Sequence, residues 1–303
     1  MYDLIIIGSG PAGLTAAIYA ARAKLSAIVL EQNFISGGQV INTYEVDNYP
    51  GLPGISGMDL SMKFREHAES LGAEFVRAQV ISVHVENGIK MVRTENGLYE
   101  TKTLIMSTGA DHRKLGVPGE DRLMGMGVSY CATCDGAFFK GSDVAVIGGG
   151  DVAVEDAIFL ARGCRKVYVV HRRDELRAAK MLQERLFALP NVEMVWDSTV
   201  SSLEGENQVG AVKIVNVKDG SKKTLHVDGV FIAVGITPTT ELFKGVVDMD
   251  QNGYIITDEN GTTSVPGIYA AGDARVKQLR QIITAAADGA NAVTSALNYL
   301  LEN

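Results

Sequence analysis

Hydrophobic residues recur in the same order at two places along the chain. The stretch DLIIIGSGPAGLTAAIYAAR begins at Asp3 and the stretch DVAVIGGGDVAVEDAIFLAR begins at Asp143, so the second copy is displaced by 140 residues (143 − 3). In each copy a short apolar run typical of a buried β-strand ends in glycines, and an alanine-rich stretch with the period of a one-faced helix follows. The pattern predicts two strand–turn–helix units in the order of a Rossmann domain.

The glycine turns of both copies predict dinucleotide-binding sites, because such a turn presents backbone N–H groups and a helix N-terminus to a pyrophosphate. A lone G-x-G-x-x-G is weak, but here each pattern follows a predicted strand and opens a predicted helix. A strand-to-helix turn without a ligand is the alternative for each copy. The first turn contains Gly8, Gly10, Pro11, Ala12 and Gly13, and the second contains Gly148, Gly150, Asp151, Val152 and Ala153.

The residues that follow each helix separate the two ligands. The strand LSAIVLE ends at Glu31, 18 residues after the last glycine of its turn (31 − 13), where a carboxylate accepts a hydrogen bond from a ribose hydroxyl. At the same spacing the second copy has His171, and the donors Arg172, Arg173 and Arg177 follow. Guanidinium groups suit a phosphate dianion, so we expect the second nucleotide to carry a 2′-phosphate, as NADPH does. A solvated basic loop is the alternative.

Each half continues with a β-rich segment. The stretches VISVHVENGIKMVRTENGLYETKTLIMSTG and VSSLEGENQVGAVKIVNVKDGSKKTLHVDGVFIAVG alternate apolar and polar residues around NG and DG turns, which predicts β-meanders or hairpins. The later stretch TTSVPGIYAAGDA predicts a further strand that has no counterpart closing the second half. We therefore expect a discontinuous first domain, 1–112 plus 243–303, with a second domain, 117–238, inserted. The predicted connections are DHRKLGVPGE and ITPTTELFKG.

Composition limits the class of protein. At 303 residues and 46% hydrophobic, the chain is long enough for two cores. Its net charge of -8, from 28 Lys+Arg and 36 Asp+Glu, argues against a nucleic-acid partner, which requires positive faces. The N-terminal apolar run is too short for a signal peptide, and no segment approaches the roughly 20 apolar residues that span a bilayer. We expect a cytoplasmic protein without a membrane partner.

Cys131 and Cys134 form a C-x-x-C pair, which can be half of a zinc site, a structural disulfide or a redox dithiol. Zinc requires four ligands, but Cys164 stands alone and the five histidines form no H-x-x-x-H, so we expect no metal site. A stable structural disulfide is uncommon in a reducing cytosol. The purpose of the pair therefore depends on the rest of the chain.

Taken in order, the motifs resemble one family, the low-molecular-weight, bacterial-type thioredoxin reductases. The motifs extend over the whole chain: GSGPAG, GGQ, STGA, CATCDG, GGGDVA, HRRDELR, GDA and RQ. Most of them recur among flavoprotein disulfide reductases, but CATC shortly before GGGDVA is specific to this branch. One departure is Val152, where relatives often have Ser or Thr, so a hydroxyl near the phosphates is lost.

The resemblance implies an α/β fold with two Rossmann-like dinucleotide-binding domains of the three-layer ββα type, the NADPH domain being inserted in a discontinuous FAD domain, and a homodimer. It implies a thioredoxin-disulfide reductase, in which electrons pass from NADPH through FAD and the Cys131/Cys134 dithiol to the disulfide of thioredoxin or a thioredoxin-like protein. Cys134 then lies on the flavin side, and Asp135 donates and accepts the proton of the departing thiolate. The further FAD-binding residues implied are Gly38, Gln39, Asn48, Gly109, Gly272, Asp273, Ala274, Arg280 and Gln281.

Three further expectations follow. Phe138 and Phe139 either belong to the core or form an apolar docking patch beside the dithiol. The helix after Arg280 directs its N-terminal dipole at the flavin. The dithiol and the NADPH turn lie in one domain, 14 residues apart (148 − 134), and the flavin that both must reach lies in the other. We therefore expect the inserted domain to rotate about its two connections, near 113–118 and 236–242. The rival functions are a relative reduced by ferredoxin or another electron donor, which the arginines disfavour, the reductase component of a peroxidase system, and a non-catalytic dinucleotide-binding or zinc-binding protein that only senses the cofactor.

Overall fold

The structure is a computed structural model that describes residues 1–43, 46 and 48–303. These residues divide into two compact units. The first unit contains residues 1–43, 49–111 and 237–303, and the second contains residues 46, 48 and 112–236. Each unit is described by itself below.

The described residues form strands and helices in the following order. The strands are β1 Tyr2–Ile7, β2 Ala27–Glu31, β3 Glu74–Arg77, β4 Val80–Glu86, β5 Ile89–Thr94, β6 Gly97–Met106, β7 Ala110–His112, β8 Val128–Ser129, β9 Asp143–Ile147, β10 Lys166–Val170, β11 Val192–Val195, β12 Ser198–Glu204, β13 Ala211–Asn216, β14 Lys222–His226, β15 Gly229–Ile232, β16 Ile236–Pro238 and β17 Ile268–Ala270. The α-helices are α1 Pro11–Arg22, α2 Gly57–Ser70, α3 Glu120–Leu123, α4 Ala132–Asp135, α5 Asp151–Ala161, α6 Lys180–Phe187 and α7 Ile282–Glu302. Short 3₁₀ helices span Gly38–Asn42, Gly136–Phe139, Glu241–Phe243 and Gly272–Ala274.

The sheet of the first unit joins a parallel part to an antiparallel part through one long strand. Its order is β3-β2-β1-β6-β5-β4, with β17 also paired to β6. The first half of β6 pairs antiparallel with β5, and its second half pairs parallel with β1. Residues Asn87 and Gly88 both adopt positive φ, 51° and 83°, in the β4–β5 turn, as the NG signal predicts.

The second unit repeats this plan with the long strand divided in two. Its parallel sheet has the order β11-β10-β9-β15-β8, and a separate antiparallel sheet has the order β12-β13-β14. The interruption falls between β14 and β15, at Val227 and Asp228. Both predicted meanders are therefore confirmed. The strands β7 and β16, which contain the points where the chain passes from one unit to the other, pair as a two-stranded sheet.

Alternating residues of β1 and of β9 face two different cores, as expected for a strand covered on both sides. In β1, Leu4 and Ile6 pack with residues of α1 and α7, whereas Ile5 packs on the side of the antiparallel strands. In β9, Val144 packs on the side of α5, and Ala145 on the side of the antiparallel sheet. Each unit therefore has the three layers, helix, parallel sheet and antiparallel sheet, of the predicted fold class.

Candidate functional site

The turn between β1 and α1 contains three glycines in three different environments. Gly8 adopts a φ of 99°, and a Cβ there would lie 2.6 Å from the carbonyl oxygen of Ser107. A Cβ on Gly13 would overlap the carbonyl oxygen of Gly8. A Cβ on Gly10 would meet no described atom within 4 Å. The protein's own packing thus requires Gly8 and Gly13, whereas Gly10 leaves the backbone bare at the start of α1, where a pyrophosphate would approach.

The two residues after Gly10 begin α1 and direct it into the core. Pro11 occupies the first turn of the helix, where its missing N–H costs nothing and its fixed φ suits the helix. Ala12 is buried, and a Cβ on Gly289 of α7 would overlap its carbonyl oxygen. The start of α1 is therefore held closely against α7.

Glu31, at the end of β2, lies beside this turn. Its Oε2 accepts hydrogen bonds from the Ser9 backbone N–H at 2.8 Å and the Ser9 hydroxyl at 2.7 Å, and its Oε1 accepts one from the Asn33 N–H at 2.8 Å. The carboxylate is therefore fixed at the edge of the glycine turn. An open polar cleft of about 530 Å³ adjoins it, which sequence reasoning missed; it is lined by Gln32, Asn33, Arg77, Gln79, Glu95 and Asn96.

The loop after β2 brings further predicted residues to the same place. The Gly37 N–H donates to the Ser9 carbonyl oxygen at 2.8 Å, and a Cβ on Gly38 would lie 3.4 Å from the Cα of Gly10. The Gln39 amide donates to the carbonyl oxygen of Ala110 at 2.8 Å, which places Gln39 near Gly109. Gly109 itself adopts a φ of 73°. Asn48 is exposed and groups with the second unit instead.

Asp273 lies in the 3₁₀ turn Gly272–Ala274 that follows β17. Its Oδ1 is buried and has no hydrogen-bond partner among the described residues. Burial raises the pKa of Asp273, although the cations of Lys277 and Arg280 act in the opposite direction. A Cβ on Gly272 would lie 3.0 Å from the Cβ of Ala12, so this turn is adjacent to the start of α1. Ala274 is fully buried.

A buried charge cluster below this turn was missed by sequence reasoning. Asp288 of α7 accepts hydrogen bonds from the Gly272 N–H at 3.0 Å, from Arg275 at 2.6 and 2.9 Å, and from Lys277 at 2.7 Å. Burial alone would raise the pKa of Asp288, but the bonds from Arg275 and Lys277 hold it below its ordinary value. The cluster fixes the backbone on which Asp273 is carried. In the sequence, the position of Asp288 among the apolar residues of a predicted helix is the signal that could have indicated this cluster.

Arg280 and Gln281 precede α7. The guanidinium carbon of Arg280 lies 4.2 Å from the centroid of the Tyr254 ring, and its Nε is buried without a partner among the described residues. Gln281 is the N-cap of α7 and forms a reciprocal capping box with Thr284. The box satisfies backbone N–H groups at this helix end and orients it.

The turn between β9 and α5 differs from the first turn in how its glycines are used. A Cβ on Gly148, which has a φ of 156°, would lie 2.7 Å from the Cβ of Ala153. A Cβ on Gly149 would overlap the His171 ring, whereas one on Gly150 would meet only the Arg177 Nη2, at 4.0 Å. Gly150 therefore corresponds to Gly10 as the bare position.

The three residues after Gly150 have different surroundings. The Asp151 carboxylate accepts a hydrogen bond from the Ala179 N–H at 2.7 Å, which ties the loop after β10 to the start of α5. Val152 is 56% exposed, and Ala153 is fully buried. Asp151 and Val152 are both exposed, but only Asp151 is held by a hydrogen bond to the loop, and Ala153 acts through packing.

His171 and the three arginines that follow it are divided between core and surface. His171 is 5% exposed, its ring contacts that of Trp196 edge-on at 6.5 Å, and its Nε2 has no partner among the described residues. Burial lowers the pKa of His171, and the Arg177 cation lowers it further. Arg172, Arg173 and Arg177 are exposed, and none of them takes part in the ion pairs found among the described residues. These guanidiniums are therefore available to an anion.

Cys131 and Cys134 form a disulfide with their Cα atoms 5.3 Å apart. Cys131 is the N-cap residue of the short helix α4, and the N–H groups of Cys134 and Asp135 both donate to its carbonyl oxygen, at 3.2 and 3.1 Å. The Cys131 N–H donates to the Ser129 hydroxyl at 3.0 Å. The bridge thus closes one turn of chain whose backbone is held independently of the sulfur atoms.

Asp135 directly follows Cys134 and is the last residue of α4. Its Oδ2 accepts a hydrogen bond from the Ser129 hydroxyl at 2.6 Å, and its Oδ1 is buried without a partner among the described residues. Burial raises the pKa of Asp135, and the Ser129 bond opposes this rise. A carboxyl group with a raised pKa beside a disulfide is suited to exchange protons with its thiols. Ser129 was not singled out from the sequence.

The two phenylalanines after the dithiol have different environments. Phe139 packs in the core, with its ring centroid 5.3 Å from that of Phe231 and its ring against Gly229. Phe138 is 43% exposed. Phe139 is therefore a core residue, and only Phe138 is placed to belong to a docking patch.

Four buried side-chain atoms lack a hydrogen-bond partner among the described residues. They are Asp135 Oδ1, His171 Nε2, Asp273 Oδ1 and Arg280 Nε. An unsatisfied buried polar group costs about 1–3 kcal/mol, so such groups are retained where a ligand or a reaction uses them. All four belong to residues that the sequence predicts for cofactor binding or catalysis. The orphan atoms of the first unit fit FAD, and the bare Gly150 and free arginines of the second fit NADPH.

The described residues form neither a cluster of metal-ligating side chains nor a membrane-spanning helix. They contain no group of three or more His, Cys, Asp or Glu that could hold a metal ion. None of the helices in this part of the chain has the length and apolar character needed to cross a membrane.

Comparison with known proteins gives consistent matches over the whole chain. The sequence model of a family described as pyridine nucleotide-disulphide oxidoreductase matches residues 2–289. The thioredoxin reductase of Listeria innocua is 48% identical, with 100% of this chain and 95% of the relative covered. The crystal structure of thioredoxin reductase from Streptococcus pyogenes is 50% identical with a TM-score of 0.96, covering 100% of this chain and 99% of that one. Thioredoxin reductase from Giardia duodenalis is 37% identical with a TM-score of 0.92, at 99% coverage of both chains.

Proposed function

We propose that this chain, which belongs to the pyridine nucleotide-disulphide oxidoreductase family, reduces the disulfide of thioredoxin with electrons from NADPH. It is an NADPH-dependent flavoprotein disulfide oxidoreductase with FAD as its second cofactor. The observation that carries the proposal is the Cys131–Cys134 disulfide in the same unit as a bare glycine turn and three exposed arginines that form no ion pair with the described residues. Full-length relatives that bear the name thioredoxin reductase support the choice of substrate.

The first unit is proposed to hold FAD. The backbone at Gly10 and the N-terminus of α1 bind the pyrophosphate, and Glu31 accepts a hydrogen bond from the ribose. The buried Oδ1 of Asp273 would accept a hydrogen bond from a hydroxyl of the ribityl chain. This bond would remove the free-energy cost of a buried oxygen without a partner. When bound, FAD supplies two-electron transfer between a nicotinamide and a disulfide.

The second unit is proposed to hold NADPH. The bare backbone at Gly150 and the start of α5 receive the pyrophosphate. Arg172, Arg173 and Arg177 form charge-assisted hydrogen bonds with the 2′-phosphate, which NADH lacks. His171 is neutral near pH 7 because burial lowers its pKa, so its Nε2 takes part as a hydrogen-bonding group and not as a charge. With Val152 in place of a hydroxyl residue, the backbone and the arginines carry the phosphates.

The dithiol is proposed to pass electrons to thioredoxin. Reduction of the Cys131–Cys134 disulfide takes up two electrons and two protons and breaks the S–S bond. Asp135, with its raised pKa, donates a proton to the departing thiolate and is reprotonated from solvent. One thiol then loses its proton and attacks the thioredoxin disulfide as a thiolate to form a mixed disulfide. The second thiol loses its proton and resolves the mixed disulfide, so that thioredoxin takes up two electrons and two protons and leaves as a dithiol, and the Cys131–Cys134 bond is restored.

The domain assignment and the setting of the protein are proposed on the same basis. We assign FAD binding to 1–112 and 243–303, and NADPH binding with the dithiol to 117–238. The protein acts as a homodimer in the cytoplasm, where thioredoxin is kept reduced. The net charge of -8 supports a partner other than nucleic acid.

The test is an anaerobic titration of the purified, FAD-loaded protein. NADPH is expected to bleach the flavin absorbance, and oxidised thioredoxin is expected to restore it in proportion to the amount added. NADH at the same concentration is the control and bleaches much more slowly. A flavin that NADPH does not reduce, or a reduced flavin that thioredoxin does not reoxidise, contradicts the proposed function.

A further inference from the structure

The environment of Asp135 raises a question of which carboxyl oxygen reacts. The two oxygens are not equivalent, because Oδ2 accepts the Ser129 hydroxyl at 2.6 Å, whereas Oδ1 is buried with no partner among the described residues. A carboxyl group that exchanges a proton with sulfur needs one oxygen free of other hydrogen bonds. It also needs a fixed side-chain orientation, since proton transfer requires hydrogen-bond reach.

Ser129 is placed to supply that orientation. The residue is buried in β8, with 6% of its surface exposed. Its hydroxyl has a single hydrogen, and the Asp135 Oδ2 at 2.6 Å is a nearer acceptor than the Cys131 carbonyl oxygen at 3.3 Å. The Ser129 Oγ also accepts a hydrogen bond from the Cys131 backbone N–H at 3.0 Å. One side chain therefore links the backbone of the first cysteine to the carboxyl group beside the second.

We propose that Ser129 is a positioning residue for the dithiol chemistry: it holds Oδ2 of Asp135, so that Oδ1 carries the proton exchanged with the thiols. In that step the Oδ1–H bond breaks, an S–H bond forms, and the carboxylate remains held by Ser129 until solvent returns the proton. The inference rests on the proposed function, in which Asp135 serves the dithiol.

Other titratable groups near α4 must be separated from this effect. The elements that pack most extensively against α4 are α5 and the 3₁₀ helix Gly136–Phe139. The 3₁₀ helix has no titratable residue, and α5 carries Asp151, Glu155 and Asp156. Burial raises the pKa of Asp156 to about 7, so its titration must be separated from that of Asp135, whose pKa burial also raises. The variants are therefore made in an Asp156→Asn background.

The direction of the effect follows from which form the hydroxyl stabilises. A hydrogen bond donated to a carboxylate favours the charged form, so its removal leaves the raised pKa of Asp135 still higher. Ser129→Ala is expected to lower the ionisation constant of Asp135 on the order of tenfold, which is about one pH unit in its titration midpoint. Ser129→Thr keeps the hydroxyl and is expected to keep the midpoint.

A matched control is available in the same unit. Ser198 is also buried, at 5% exposure, and its hydroxyl donates to the Trp196 carbonyl oxygen at 2.7 Å, with no hydrogen bond to a carboxyl group of the described residues. Ser198→Ala therefore removes a similar buried hydroxyl and is expected to leave the Asp135 midpoint unchanged.

The measurement is a pH titration of ¹³C-carboxyl aspartate by NMR in the full-length, FAD-loaded protein with its disulfide intact. The Asp135 signal is assigned by its loss in Asp135→Asn. A higher midpoint in Ser129→Ala, with Ser129→Thr and Ser198→Ala unchanged, supports the proposal. An unchanged midpoint in Ser129→Ala, or equal changes in the threonine or Ser198 variants, overturns it. Ser129→Gly removes the same hydroxyl and replaces the alanine variant if that chain does not fold. Because no thioredoxin is present, a failure of the proposed function would not alter this result.

Discussion

Gly10→Ala is expected to separate cofactor binding from folding. Gly10 has φ −71° and ψ −176°, an extended conformation that alanine adopts without strain. The new Cβ would meet no described atom within 4 Å. The substitution should therefore change the stability of the FAD-free chain by less than about 1 kcal/mol, the scale of an N-cap change.

The cost appears when FAD binds, because the Cβ would occupy the place where the pyrophosphate approaches the backbone at the start of α1. Displacing the phosphate by one methyl group breaks at least one charge-assisted hydrogen bond to a backbone N–H, worth about 1.5–3 kcal/mol. Affinity for FAD should fall roughly tenfold to a hundredfold or slightly more, at about 1.4 kcal/mol per factor of ten.

The assay is reconstitution of the FAD-free protein followed by flavin fluorescence, with thermal unfolding measured before FAD is added. Gly150→Ala is the matched control, because its Cβ would meet only the Arg177 Nη2, at 4.0 Å, and lies in the other unit. This variant should bind FAD normally and lose affinity for NADPH. Gly13→Ala should instead destabilise the FAD-free chain by about 1–3 kcal/mol, since its Cβ would overlap the Gly8 carbonyl oxygen. Normal FAD affinity in Gly10→Ala would refute the assignment of this turn to the pyrophosphate.

Two other predictions follow from the second unit and its connections. Replacing Arg172 and Arg173 together by alanine should lower kcat/KM for NADPH by about tenfold per arginine and leave kcat/KM for NADH unchanged. This loss is at the lower end of the range for charge-assisted hydrogen bonds, because both side chains are exposed. Equal losses with both nucleotides in steady-state assays would mean that the arginines act structurally. Cross-linking the two units through engineered cysteines, in a variant with normal FAD content, should abolish steady-state reduction of thioredoxin. One half-reaction should survive in stopped-flow traces, because we expect nicotinamide and disulfide to reach the flavin in turn. Full turnover of the cross-linked protein would exclude a required rotation.

The layers of both units could be predicted from the sequence because their signals are local. A buried strand, a glycine turn and an alanine-rich helix each leave their own period within about 20 residues, and the repeat at 140 residues shows the plan twice. The turn at Asn87 and Gly88 was likewise predictable, since few residue pairs accept positive φ in succession.

The partners of the site residues could not be predicted, because they depend on tertiary packing. Asp151 accepts a hydrogen bond from Ala179, 28 residues away, and Asp288 receives the N–H of Gly272, 16 residues before it. Ser129 ends the two-residue strand β8 and Asp135 ends the four-residue helix α4, and elements this short leave no periodic signal in the sequence. The sequence predicts which groups react, whereas the hydrogen bonds that hold those groups are seen only in the fold.

The most direct test of the account compares two cysteine substitutions in NADPH-dependent reduction of thioredoxin. Cys164 is the matched control, because it is buried, donates to the Phe139 carbonyl oxygen at 3.3 Å and has its pKa raised to about 11 by burial, so it remains a thiol. Cys164→Ser should retain turnover, and Cys134→Ser should reduce no thioredoxin although NADPH still bleaches its flavin. Turnover of thioredoxin by Cys134→Ser at the rate of the unaltered protein would contradict the central claim that electrons pass through the Cys131–Cys134 pair.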